Sequence, residues 1–294
     1  MHKKFVPIAL HILPIQSQRV GKIRKVMAFL LVALVSVSVF PWAASAKEVT
    51  VSGSSTAMPL AEAAAEIFNV RQQDYAVTVT AGGTGAGITG IAERKFDIAM
   101  ASREITADEK QRYGDDFREF KVGIDGICLA VSEKIYQAKV MGLSQEQVQK
   151  IYSGKITNWK DVGGPDEDIY VISREEGSGT RDAFNEAVLG SKEADTPGVD
   201  TVAMGSAEVK TDISGSDRAI GYLGFNYLGG GVRAIAFDGV MPSYDNIKLD
   251  LYRLHRHLYF YTCGEPTPGA RAFIDFVQGS EGQKIAKEQG FIPV

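Results

Sequence analysis

From Lys47 onward the chain alternates short apolar, β-branched runs with segments whose apolar residues recur at helical spacing. Val49 to Val51, Val77 to Thr80 and Asp97 to Ala101 read as strands, and the Ala-rich Met58 to Phe68 and the shorter Ile88 to Glu93 as helices. That rhythm predicts a parallel α/β sheet. A longer apolar run follows at Ile124 to Val131. Ser144 and Gln147 then have capping-box spacing at the head of a helix that runs through Ile151. Ile169 to Ile172 predicts another strand and Arg181 to Leu189 another helix. Ala219 to Phe225 and Val232 to Phe237 are strand-like on either side of Gly229-Gly230-Gly231. Leu258 to Thr262 and helices over Ala270 to Val277 and Glu281 to Gln289 complete the pattern. There is no internal repeat and no long low-complexity linker. Two α/β lobes are therefore expected to be joined by crossing strands, with Cys128 and Tyr261 in the crossovers.

The first 46 residues differ from the rest. Lys3, Lys4, Arg19, Lys22, Arg24 and Lys25 occur without an acidic residue, Val26 to Phe40 is almost wholly apolar, and Ala44-Ser45-Ala46 has the small residues of a cleavage site. This predicts a secretory signal peptide over 1–46, cut after Ala46, and hence an extracytoplasmic protein. An uncleaved anchor is the alternative, although the apolar stretch is short for a membrane span. Met27 is an alternative start that would delete the basic region. No cysteine near the cleavage site offers a lipid attachment point.

Losing 46 of 294 residues leaves 248, and losing six of 32 basic side chains leaves 26 against 36 acidic ones, a net of −10. A chain this acidic is a poor nucleic-acid binder. Any anion it holds is attracted locally, by N–H groups and a few arginines. Cys128 and Cys263 lie in β-rich apolar runs and read as buried small hydrophobes, although export permits a disulfide.

Candidate chemistry sits in three glycine turns, each between a strand and a helix: Gly53-Ser54-Ser55-Thr56, Gly82 to Gly87, and Ser173 to Phe184, which reads SREEGSGTRDAF. The first N–H groups of a helix lack intrahelical partners and lie at its positive end, so they can donate to an anion. Serine and threonine hydroxyls add directional donors, and Arg174 adds a bidentate clamp. Any one turn is ordinary connection chemistry, with Ser178 reading equally well as a helix cap. Three at the C-terminal edge of an open sheet point to an oxyanion site. The second turn lacks the Gly-Lys-Ser/Thr ending of a P-loop, and the only histidines outside the leader, His255 and His257, form no zinc or hydrolase pattern. They read as surface or lobe-packing residues.

These strings, with FDIAMASRE at Phe96, DGICLAVS at Asp125, LSQEQVQKIYSGKITNWKDVGG at Leu143, AIGYLGF at Ala219, LYFYT at Leu258 and FIDFVQGSEGQKI at Phe273, resemble the short-form periplasmic phosphate-binding proteins of ABC-type phosphate uptake systems. The resemblance covers Val49 to Val294. It implies a type II periplasmic-binding-protein fold: two lobes, each a mixed sheet flanked by helices, joined by two crossover strands, with lobe 1 spanning 47–129 plus 259–294 and lobe 2 spanning 130–258. It implies a monomeric, non-enzymatic receptor without cofactor or metal, which closes over inorganic phosphate and docks to a membrane permease. The implied phosphate ligands are Ser55, Thr56, Thr84, Gly85, Ser102, Arg174, Ser178, Gly179 and Thr180, with Glu176 orienting Arg174. Arg103 and Arg181 are expected to brace acidic neighbours. Longer members place a proton-accepting aspartate where this chain has Ser102. Asp125 is the candidate replacement, with a turn or hinge role before Gly126 as the alternative. Other readings stay open: a receptor for another tetrahedral oxyanion, a phosphatase using Ser178 or Thr180 as nucleophile, or a surface sensor or adhesin on the same fold.

Overall fold

The computed structural model describes residues 46–294, so the expected signal peptide lies outside the described residues except for Ala46. Strands are β1 (Lys47–Gly53), β2 (Tyr75–Ala81), β3 (Ile98–Ala101), β4 (Phe117–Ser132), β5 (Gly142–Leu143), β6 (Tyr170–Arg174), β7 (Thr201–Ala203), β8 (Ala219–Gly224), β9 (Val232–Ala234), β10 (Ala236–Phe237) and β11 (His255–Cys263). Helices are α1 (Met58–Arg71), α2 (Thr84–Ala92), α3 (Ala107–Tyr113), α4 (Glu133–Gln137), α5 (Gln145–Tyr152), α6 (Gly179–Phe184), α7 (Ser206–Ser214), α8 (Tyr244–Lys248), α9 (Pro268–Gln278) and α10 (Ser280–Glu288).

The main strands run in the order β2-β1-β3-β11-β4-β8-β6-β7, with β9 also on β4. β1 pairs in parallel with β2 and β3, and β6 with β7 and β8. β11 and β4 run antiparallel in the middle and belong to both halves. β4 pairs with β11 through Gly126 and with β8 from Ile127 onward, so the partner changes within a single peptide step. Two cores follow from that change. Leu60, Phe68, Ile98, Phe260, Phe273 and Ile274 pack in one lobe, and Leu129, Tyr152, Trp159, Val171, Phe184 and Tyr222 in the other. This is the two-lobed α/β architecture with two crossover strands. Phe184 stacks on Tyr222 with ring centroids 4.0 Å apart.

Local expectations meet the structure in most places. Ser144 and Gln147 form the capping box at the head of α5. The stretch expected as one strand over Val232 to Phe237 is instead two. Its chain leaves β4 after the Ile235 N–H donates to Leu129 O, and Ala236–Phe237 then pair with β5. The helix expected over Arg181 to Leu189 starts two residues earlier and widens into a π-helical turn over Asn185–Leu189. Both cysteines are free. Cys128 lies opposite Leu223 and Cys263 opposite Phe117, so eleven residues of β4, on the order of 30 Å, separate their positions. A disulfide needs Cα atoms within about 7 Å.

Polar contacts bridge the lobes in front of the crossovers. The Gly85 N–H donates to Gly177 O at 3.0 Å, and the Tyr227 hydroxyl donates to Ser55 O at 2.8 Å. Arg103 spans the gap: its Nε donates to Asp182 at 2.7 Å, and its Nη atoms grip Glu109 at 2.8 and 2.9 Å. It braces acidic neighbours, as expected. Burial alone would raise the Glu109 carboxyl, but hydrogen bonds from Arg103 and the Thr106 amide outweigh it and hold the group below its ordinary 4.5.

Two predictions follow from this architecture. Gly53 has φ +134°, and a Cβ there would run into the Met100 carbonyl. Gly53→Ala should therefore cost about 2 kcal/mol in urea unfolding; an unchanged midpoint would refute the constraint. Because the native pKa of Glu109 is depressed, its stabilisation is complete above the unfolded value and is lost as pH falls through the native one. The melting-temperature gap between wild type and Glu109→Gln should be open at neutral pH and close in acid. A gap that stays constant with pH would show that the ion pair does not supply it.

Candidate functional site

The C-terminal ends of parallel strands from both lobes meet in one cleft. β1 delivers Ser54, Ser55 and Thr56 ahead of α1, β2 delivers Gly83 and Thr84 at the head of α2, and β3 ends at Ser102. From the other lobe, β6 delivers Arg174 and the loop to Ser178, Gly179 and Thr180 at the head of α6, and β7 delivers Ser206 at the head of α7. Ser54, Ser55, Gly83, Thr84, Ser102, Arg174, Ser178, Gly179 and Thr180 line a narrow pocket whose walls are closed together, leaving about 120 Å³ with the solvent at its mouth included and no room for a water molecule. Glycines allow the two walls to approach. A Cβ on Gly179 would sit 2.5 Å from Thr84 Oγ1 and 2.6 Å from Ser102 Oγ.

Arg174 is buried to 2% exposure, and its charge is met at once by Glu175, whose carboxylate accepts from Nε and Nη2 at 2.7 Å each. The remaining donors of Arg174 reach Ser206 Oγ and Ser55 Oγ, both at 3.3 Å. Its backbone is fixed from the lobe core, where the Tyr222 hydroxyl accepts from the Arg174 N–H at 3.3 Å. Burial pushes that phenol up to about 12.

The hydroxyls share a common polarity. Ser178 Oγ caps α6 by accepting from the Arg181 N–H at 3.3 Å, and Thr84 Oγ1 accepts from the Ser102 N–H at 3.2 Å. Ser55 Oγ accepts from the Ser206 N–H at 3.3 Å, besides the guanidinium of Arg174. Thr56 Oγ1 and Thr180 Oγ1 lie 2.8 Å apart and both accept from Nη2 of Arg256, at 3.3 and 2.8 Å. An N–H group cannot accept in return, so each of these hydroxyls keeps its own proton to donate. The cap reading and the site reading of Ser178 are thus compatible: capping turns its proton outward from α6.

Of the expected residues, Ser55, Thr84, Ser102, Arg174, Ser178, Gly179 and Thr180 come together in the pocket wall, and Thr56 joins them through Thr180. One expectation is corrected, and two expected residues stand apart from the pocket wall. Glu176 is exposed and does not hold Arg174; Glu175 does, because the turn after β6 folds that side chain back along the guanidinium. The Gly85 N–H is spent on Gly177 O across the lobes, which places it at the cleft mouth rather than in the pocket wall. Asp125 is buried on β4 behind the wall, accepting from Arg256 Nη2 at 3.1 Å and from the Phe225 N–H at 3.3 Å. Burial raises its carboxyl, with the Arg256 charge pulling the other way.

Ser206 and Arg256 were missed. Ser206 follows a Gly at the end of a three-residue strand, the same strand-turn-helix design in a segment too short to stand out. Arg256 stands between His255 and His257, which read as surface or lobe-packing residues. The signal was the alternation Leu254, Arg256, Leu258, all buried, which turns the arginine inward on β11.

Comparison with known proteins agrees with this geometry. A family model described as the PBP superfamily domain matches residues 38–281. Phosphate-binding protein PstS of Bacillus subtilis is 36% identical over 250 residues, covering 83% of this chain and 80% of the relative. The Borreliella burgdorferi protein of the same name is 29% identical, covering 84% and 90%. Among solved structures, a Clostridium perfringens substrate-binding protein assigned to a phosphate ABC transporter, with bound phosphate, superposes with TM-score 0.79 at 36% identity, covering 84% of this chain and all of that one. An ABC-type phosphate transport receptor from Vibrio cholerae superposes with TM-score 0.69 at 31% identity over 84% and 100%. Fold, converging strand ends and sequence together place the chain in the PBP superfamily, among the PstS-type phosphate-binding proteins.

Proposed function

We propose that this protein is an extracytoplasmic, monomeric receptor that binds inorganic phosphate between its lobes and hands it to an ABC-type permease. The observation that carries the reading is the pocket wall, in which a buried arginine and hydroxyls with their acceptor sides occupied converge from both lobes. A tetrahedral oxyanion offers acceptors in every direction, which is what such a wall is complementary to. Relatives named for phosphate binding support the choice of anion.

Binding without turnover also fits the chemistry. The buried carboxylates near Ser178 and Thr180 are already engaged, Glu175 by Arg174 and Asp125 by Arg256. An entering phosphate would take over the protons that Thr56 and Thr180 now share, tying the α1 start to the α6 start. Lobe closure and ligand capture are then one event. No carboxylate is among the residues that line the pocket, which favours, as a second reading, another tetrahedral oxyanion whose oxygens all arrive unprotonated.

Calorimetric titration with phosphate, sulfate, arsenate and molybdate tests the reading, and the absence of heat with phosphate would overturn it. Arg174→Ala should weaken phosphate binding by about a hundredfold, and Arg174→Lys should recover only part of that because a point charge replaces a fork. A near-native dissociation constant for Arg174→Ala would remove the clamp role. In Gly179→Ala the added methyl should wedge the lobes apart, giving a larger radius of gyration in small-angle scattering with phosphate present. A compact, phosphate-tight Gly179→Ala protein would show that the walls do not need to approach this closely.

A further inference from the structure

From crossover strand β11, Arg256 reaches both lobes and the other crossover strand. It starts from β11, 8% exposed. Nη1 donates to Gly179 O at 2.8 Å, and Nη2 reaches Thr180 Oγ1 at 2.8 Å, Thr56 Oγ1 at 3.3 Å and Asp125 Oδ2 at 3.1 Å. Gly179 and Thr180 belong to one lobe, Thr56 to the other, and Asp125 to β4, one residue before the step at which the sheet changes partner. Its Nε is buried with no partner among the described residues, a cost an apolar side chain would avoid.

We infer that Arg256 is a positioning residue for anion binding, which fixes Thr56 and Thr180 as donors and sets the protonation state of the ligand, while Asp125 serves as its counter-ion. The inference rests on the phosphate reading and goes beyond it. A threonine hydroxyl by itself can donate or accept, and it can therefore greet either a bare oxygen or a protonated one. Guanidinium can only donate, so neither hydroxyl can spend its proton on Arg256; one proton bridges Thr56 and Thr180, and an entering anion that takes it over meets both as donors. The facing hydroxyls then favour the less protonated ligand. Asp125 neutralises Arg256 from below, and the pair is approached by Arg174 on β6 and Asp182 on α6, with Glu175 beside Arg174, Arg103 beside Asp182, and His255 and His257 flanking Arg256 on β11. Asp125 thereby acts through Arg256 and does not touch the ligand.

The test measures phosphate affinity of the whole protein in mildly alkaline and mildly acidic buffer, where the anion carries fewer and more protons. Arg256→Met combined with Asp125→Asn removes both charges of the buried pair and leaves neither stranded. The alkaline-to-acidic affinity ratio should fall by about tenfold, because two freed hydroxyls can now accept a ligand proton. Arg256→Lys should restore part of the ratio. Weaker binding with an unchanged ratio would mean that Arg256 only holds the cleft together, and would overturn the inference. Asp125→Asn alone keeps the guanidinium contacts to Thr56, Thr180 and Gly179, and provides a second route that does not depend on the double variant folding. Its preference for phosphate over sulfate should stay intact, whatever affinity is lost with the counter-ion. Collapse of that preference would make Asp125 itself the reader of the proton and overturn the counter-ion role. Failure of wild type to bind phosphate is a separate outcome, which overturns the choice of ligand and with it the inference.

Discussion

Two guanidinium groups are buried in the cleft, and everything around them follows from the need to neutralise each one before a ligand arrives. A buried charge is tolerated only when paired and hydrogen-bonded. Arg174 is met by Glu175 on the next residue, and Arg256 by Asp125 on the neighbouring strand. The fixed side-chain charges therefore cancel in pairs. What remains to attract an anion is the set of partial charges on N–H and O–H groups at the starts of α1, α2, α6 and α7, together with the guanidinium donors turned toward Ser55, Ser206, Thr56 and Thr180. An acidic protein can hold an anion in this way because the attraction is short-ranged and enclosed.

The pairs also explain which parts of the fold are rigid. Arg174 ends β6, and its strand is fixed by Tyr222, whose hydroxyl bonds both Ser173 Oγ and the Arg174 amide while its ring stacks on Phe184. Phe184 closes α6, whose first residues are the pocket's Gly179 and Thr180. One aromatic stack thus sets the strand that carries the clamp and the helix that carries the hydroxyls. The opposite wall has no such aromatic post. There, Gly53 brings the first turn hard against β3, and close backbone approach replaces side-chain packing as the source of precision.

How much of this was readable in the sequence depended on whether a residue acts through its neighbours in the chain or across the fold. The strand-turn-helix units at Gly53, Gly82 and Ser173 are local, and their composition announced them. The Ser144–Gln147 cap is local too, and was legible to the residue. Glu175 against Glu176 was not: both stand in the same turn, and only the way the backbone leaves β6 decides which carboxylate folds back on Arg174. Asp125 stands out in the sequence, yet its partner lies 131 positions away on β11, beyond anything spacing can reveal. Arg256 needed that same long-range pairing, and its two histidine neighbours disguised the alternation that turns it inward. The split of Val232 to Phe237 between two sheets was invisible for a related reason, since both halves have strand character and only tertiary pairing separates them.

Contacts between the lobes in front of the crossovers include hydrogen bonds and an ion pair: Gly85 to Gly177, Arg103 to Asp182, Tyr227 to Ser55, Thr56 to Thr180. Each exchanges for water at small net gain, so the lobes are held by terms that nearly balance. Large apolar closure would shut the cleft whether or not an anion was inside, and a receptor built that way would not report its load. With contacts of this kind the balance can be tipped by a few ligand bonds, because the anion adds acceptors to a wall rich in donors. Placing the rivet of that wall, Arg256, on a crossover strand puts the balance at the strands through which the two halves of the sheet join.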